Sequence, residues 1–112
     1  AVLTAVEEMQ AIDSGVVIDD TALNAYSAVL TFAQAAEKVD GELTGAKIAA
    51  VLEDPSTVID TGIFPALSFA EGFDFFPPTP RVAGSTFITY KAEGGKYVQE
   101  GEAVDVRGLL GF

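Results

Sequence analysis

Cysteine and histidine are both absent from these 112 residues. Without cysteine there is no disulfide framework and no thiolate metal site, so nothing in the chain reports a redox compartment. Without histidine the commonest general base, the usual zinc ligand and the Ser-His and Cys-His nucleophile pairs are all excluded. Hydrolase chemistry loses most of its means. Basic residues are scarce, six against 17 acidic, for a net charge of −11. That charge repels phosphate backbones and anionic lipid surfaces, so nucleic acid is not expected as a partner. Long apolar runs are missing too, because Asn, Gln or Pro interrupts each one before the ~20 apolar residues that a bilayer requires.

What remains is globular. Hydrophobic residues make up 49% and charged residues 21%, with no low-complexity run, which is not a disordered composition. A chain of this length is one domain or part of one, and a domain of that size buries roughly 65% of the surface its unfolded chain exposes.

The most informative stretch is 22–39. Asn24, Ser27, Thr31, Gln34 and Lys38 recur at steps of three and four, a single line along a helix surface, and nearly everything between them is Ala, Leu, Tyr, Val or Phe. A surface helix shows the opposite proportion, so this one is expected to be central and covered on all but one narrow side. Asp19, Asp20 and Thr21 supply capping oxygens and negative charge at its start. Lys38 and Asp40-Gly41 close it.

Around it the pattern predicts a helix over 2–12 with Val2, Ala5, Val6, Met9 and Ile12 inward, stopped by Asp13-Ser14-Gly15. A third helix is expected from the N-cap candidate Thr44, turning Ile48, Val51 and Leu52 inward and ending at Asp54-Pro55. From Ser56 onward the reading is β-like and irregular, with short extended candidates at 58–59 and 66–69. The three prolines among 73–80 exclude a central strand and predict a surface loop. Residues 86–92 and 96–100 flank Glu93-Gly94-Gly95 and predict a hairpin. Residues 103–112 are read as an edge strand or a docked tail.

Several side chains invite a functional reading. Asp19-Asp20 offers carboxylates to a metal or an ammonium group, although acids before a helix ordinarily act as caps. Phe69, Phe73, Phe75 and Phe76 form either an aromatic recognition loop or a satellite core beneath a loop. Tyr26 and Tyr90 have hydroxyls that could orient a ligand or satisfy a nearby backbone group. Arg81, one of two arginines, is suited to anchor the loop through a carboxylate or carbonyl.

The order of the pieces resembles a known family. An amphipathic helix, a spacer, the Ala-rich helix with Asn24-Ala25-Tyr26-Ser27-Ala28-Val29, a short helix opened by Leu43-Thr44, then Ile59-Asp60-Thr61-Gly62, Pro65-Ala66-Leu67-Ser68-Phe69, Pro80-Arg81 and Gly-Gly-Lys96-Tyr97-Val98 is similar to the C-terminal part of the periplasmic solute-binding proteins of branched-chain amino acid ABC transporters. The likeness spans nearly the whole chain and lies in order and spacing more than in any one motif. It implies an α/β fold in which helices are followed by short strands and a β-hairpin. These would form the C-terminal portion of one lobe of a two-lobe periplasmic-binding-protein fold, with residues 1–112 as a single partial domain.

The resemblance also implies a function. The longer protein would capture an amino acid or similar small solute in the cleft between its lobes and deliver it to a membrane permease, outside the cytoplasm, as a periplasmic protein or a cell-surface lipoprotein. No catalytic residue, cofactor or metal is expected. Most ligand contacts of the family precede this segment. The positions here that match a ligand-facing one are Thr21 and Leu23, where some relatives place an aromatic residue; Leu23 departs from that, and core packing is the more usual role of an apolar helix residue. Polypeptide is expected ahead of Ala1, and a chain taken alone is expected to cover its apolar helix by self-association, as a symmetric or swapped dimer. Two other classes stand beside this one. The first is a self-contained α+β interaction module using the Phe-rich loop. The second is an enzyme with facing carboxylates, for which the spacing gives no support.

Overall fold

The computed structural model describes residues 1–70 and 83–110. The expected proline-rich loop, Phe73, Phe75, Phe76 and Arg81 lie outside them. The chain is a mixture of helices and small antiparallel sheets, broadly α/β, and divides into two compact units, Ala1–Ala70 and Glu71–Phe112.

The first unit holds three helices, α1 (Val2–Ile12), α2 (Asp20–Glu37) and α3 (Gly45–Glu53). Local chemistry stops α1, starts α2 and bounds α3 at both ends. The Asp13 carboxylate accepts from Gly15 N at 2.8 Å and turns the chain away from α1. At the start of α2 the Asp19 carboxylate accepts from Ala22 N at 2.9 Å, so Asp19 is a cap. Thr44 caps α3 by accepting from Lys47 N at 3.3 Å. After α3, Asp54 accepts from both the backbone N and the hydroxyl of Ser56, at 2.8 and 2.7 Å, which starts the turn toward 57–59.

On α1, Ala5 is buried with Val6 and Met9 half-buried beside it, as the spacing predicts, whereas Ile12 is 90% exposed and Val2 is also exposed. The terminal turns project beyond what the unit covers. Ile48, Val51 and Leu52 of α3 are half-buried. Ile59 and Leu67 exchange both backbone hydrogen bonds, at 2.9 and 3.0 Å, in a single antiparallel bridge that reduces the two expected extended segments to one pairing.

The orientation of α2 corrects the sequence reading. Its polar line was expected to mark the one uncovered side, yet the middle of that line is covered and only its ends, Asn24 and Lys38, are exposed. Ser27 is 8% exposed and Thr31 and Gln34 are half-buried, while Val29 and Phe32 stand 67% and 53% exposed. The physical reason is that Ser27 and Gln34 find hydrogen-bond partners in residues 60–61, and a polar group enters the interior only when so satisfied. The unit's core is correspondingly thin. Its buried apolar residues are Ala5, Ala35 and Ile59, and among the described residues no large side chain is fully buried.

The second unit contains β1 (Thr86–Phe87), β2 (Tyr90–Glu93), β3 (Lys96–Gln99), β4 (Val104–Asp105) and the single turn α4 (Arg107–Leu110). The predicted hairpin is present as β2 and β3, pairing Tyr90 with Gln99 through Glu93 with Lys96. Gly94 and Gly95 at φ +59° and +77° form its two-residue turn, a conformation that matches the twist of the strands and that side chains disfavour. Thr86 and Phe87 do not extend this hairpin. They pair with Asp105 and Val104 in a separate two-stranded sheet, held by Val106 N donating to Ser85 O at 3.0 Å and the Arg107 guanidinium donating to Ala83 O at 3.2 Å. The expected edge strand is therefore β4, followed by α4.

Candidate functional site

Thr21 and Leu23 sit in the first turn of α2, fixed by the Asp19 cap, with Leu23 N donating to Asp19 O at 3.0 Å. They are not brought together. Two residues along a helix are about 200° apart around its axis, so Leu23 shares the inward side with Ser27 and Thr21 the outward side with Ala25 and Phe32. Leu23 is half-buried and Thr21 exposed. The two cannot line one side of a pocket from this helix.

The side chains that do converge are those of the polar line and residues 60–61. Ser27 Oγ lies 3.0 Å from Thr61 Oγ1. The Gln34 amide donates to Asp60 O at 2.7 Å and accepts from Asp60 N at 3.3 Å. The Asp60 carboxylate accepts from Gly62 N at 2.9 Å, which shapes the turn that presents Thr61. Gly62 has φ +67°, and a Cβ there would lie 2.7 Å from Ala1 Cβ, so glycine is required on both counts. Chemically this is a clamp. Its two hydroxyls bond each other, and the Gln34 amide is engaged with the backbone of Asp60.

Nothing local in the sequence pairs Asp60 and Thr61 with α2, although both lie in the motif Ile59-Asp60-Thr61-Gly62. The usable signal would have been the helix itself, since Ser27, Thr31 and Gln34 at steps of four and three fit a buried polar seam as well as an exposed one. Tyr26 makes a second link within the unit. Its hydroxyl donates to Glu8 Oε2 at 2.5 Å and thereby ties α1 to α2. That bond, then desolvation, then the Glu8 charge raise the phenol above its ordinary 10.0. Tyr26 thus satisfies a carboxylate, while Tyr90 is exposed.

Asp19 caps the helix start as expected, and Asp20 stands in the first turn, its backbone O accepting from Asn24 Nδ2 at 2.7 Å. Among the described residues no three Asp or Glu side chains are grouped to hold a metal ion, and no described helix is long and apolar enough to cross a membrane.

The outward face of α2 is the other distinctive surface. Thr21, Ala25, Ala28, Val29, Phe32 and Ala33 are all exposed, and Thr21 is the one polar residue among them. The helix therefore turns Ser27, Thr31 and Gln34 in together with Leu23, Leu30 and Ala35, and leaves an apolar patch exposed on its other side. Comparisons with protein-family models, with curated proteins and with solved structures give no match.

Proposed function

We propose that this chain is the C-terminal part of an extracytoplasmic solute-binding protein that serves an ABC importer of amino acids or similar small solutes. The observation that carries the reading is the exposed apolar patch of α2. Its inward face is already satisfied by Asp60 and Thr61, so its exposed apolar face calls for a second packing layer, as a helix of an α/β lobe has. The order of motifs from Val2 to Val98 supports the same assignment.

In this reading the remainder of the lobe covers Val29 and Phe32, and the solute lies in a cleft to which this chain contributes little. Thr21, exposed at the start of α2, is the residue available to it, and Leu23 packs within the lobe. The permease would meet the assembled lobes. Reading the coding sequence ahead of Ala1 tests this directly. A long α/β region led by a secretion signal supports the proposal, and a start codon immediately before Ala1 contradicts it in favour of a stand-alone interaction module.

A further inference from the structure

The described aspartates are nearly all held by their own backbone. The carboxylate of Asp13 accepts from Gly15 N, that of Asp19 from Ala22 N, that of Asp54 from Ser56 N, that of Asp60 from Gly62 N and that of Asp105 from Arg107 N, each at 2.8–3.0 Å. Asp20 is fixed in the first turn of α2. Asp40 differs. It lies between α2 and α3, is exposed, and among the described residues nothing bonds its carboxylate. Its one contact is through the backbone O, to which Lys47 Nζ donates at 2.7 Å. The next residue is Gly41, also exposed, at φ +74°. Gly41 has no side chain to crowd its nitrogen, and among the described residues its N–H has no acceptor.

Asp40 Cγ and Gly41 N are the two ends of a five-atom ring once a bond joins them, and here both are unengaged. We propose that the native chain isomerises spontaneously at Asp40-Gly41, its main chain rerouted there through the Asp40 side chain. Gly41 N attacks Cγ of the protonated carboxyl, the amide proton and the carboxyl OH depart together as water, and a succinimide remains. Holding the reacting atoms within one short ring makes the step intramolecular. Water then adds to either ring carbonyl. Addition at Cγ restores aspartate. Addition at the α-carbonyl breaks its bond to Gly41 N and leaves isoaspartate, with the chain running through Cβ and Cγ and the former α-carbonyl as a carboxylate. One water leaves and one returns, so nothing is oxidised or reduced. The product lengthens the connection between α2 and α3 by a carbon atom and removes the carbonyl that Lys47 grips. At Asp13, Asp19, Asp54, Asp60 and Asp105 a bond to a charged carboxylate must be given up before Cγ turns onto the next nitrogen, a cost that slows the step about tenfold or more. The inference concerns the first unit alone and stands apart from the solute-receptor reading.

The test ages the 112-residue chain at body temperature in mildly acidic buffer, native and in guanidinium chloride, and maps its tryptic peptides by liquid chromatography and mass spectrometry. Cleavage after Lys38 and Lys47 releases residues 39–47, in which Asp40 is the lone aspartate. Isoaspartate is read as a second 39–47 peptide of unchanged mass that an endoproteinase cutting before aspartate does not cleave. The native chain should accumulate it at Asp40, while Asp13-Ser14 isomerises only in guanidinium chloride. Folding should slow Asp13 by about tenfold or more and Asp40 by less than about threefold. Asp40→Asn closes the same ring with ammonia as the leaving group, so the native variant should gain a dalton in its 39–47 peptide on hydrolysis. An Asp40 slowed by folding as much as Asp13 overturns the proposal, as does a 39–47 peptide that stays single in the native chain. It is equally overturned by an Asp40→Asn chain that gains mass in guanidinium chloride and keeps it unchanged when folded.

Discussion

Gln34 and Asp60 meet as neighbouring strands do, the side-chain amide of one donating to and accepting from the backbone of the other at 2.7 and 3.3 Å. Gln34→Ala removes both bonds but leaves Asp60 where water can reach it, so the expected loss is about 1–2 kcal/mol of unfolding free energy in urea. Gln34→Glu keeps an acceptor for Asp60 N and sets a carboxylate against Asp60 O. Its stability should recover partly as pH falls and the carboxylate is protonated.

Ser27 and Thr61 form a hydroxyl pair, and Ser27 is buried. The single substitutions Ser27→Ala and Thr61→Ala should each cost more than half of what the double substitution costs. A double-mutant cycle should return a coupling of about 1 kcal/mol. Additive single effects would mean that the two hydroxyls do not rely on each other.

Val29 and Phe32 make the opposite case. In the 112-residue chain Phe32→Ala should change unfolding free energy by no more than about 0.5 kcal/mol, as exposed positions do. In the longer protein proposed above, with a covering layer over this residue, the same substitution should cost about 3–5 kcal/mol. Urea unfolding of both proteins gives the comparison.

The two ends of the pH range should act through different residues. Asp105 is held below its ordinary 3.8 by the Arg107 backbone N–H, the Ser85 hydroxyl and the Arg107 charge, and Asp54 by the Ser56 hydroxyl and N–H and by Lys38. A lowered carboxyl pKa stabilises the fold above the unfolded value, and the contribution is lost as pH falls through the folded one. Asp105→Asn should therefore flatten stability against pH on the acid side. Tyr26 has the reverse sign. Its raised pKa stabilises below the unfolded value of 10.0 and is lost as pH rises past the folded value, so Tyr26→Phe should flatten the alkaline side.

Gly62 combines a positive φ of 67° with a close approach to Ala1. Gly62→Ala should destabilise by about 1–2 kcal/mol from the left-handed backbone alone, before any clash is counted. Thermal unfolding by circular dichroism reads this, and an unchanged Tm would show that the turn relaxes.

The helices were legible because their signals are local. Asp19 and Thr44 cap within three residues, and Asp13-Ser14-Gly15 and Asp54-Pro55 stop the chain where they stand. The turn at Gly94-Gly95 was equally plain. The direction in which α2 faces was not, since it depends on Asp60 and Thr61, 26 and 34 residues from Gln34 and Ser27. A polar seam on an apolar helix has the same period whether it is buried or exposed. The pairing of Thr86-Phe87 with Val104-Asp105 was hidden for a similar reason, because two-residue strands carry no alternation and their partner lies beyond the intervening hairpin. At the candidate site, resemblance pointed to Thr21 and Leu23, and helix geometry alone separates them.

The central claim is that this chain completes a small-solute receptor. The most direct measurement is the thermal unfolding of the protein encoded by the complete reading frame, with and without each of the common amino acids at millimolar concentration. A rise in Tm of several degrees with one or a few chemically related amino acids, absent for the 112-residue chain alone, is the result expected if a ligand binds the native state selectively. No shift with any of them, in a protein that unfolds cooperatively, would contradict the account.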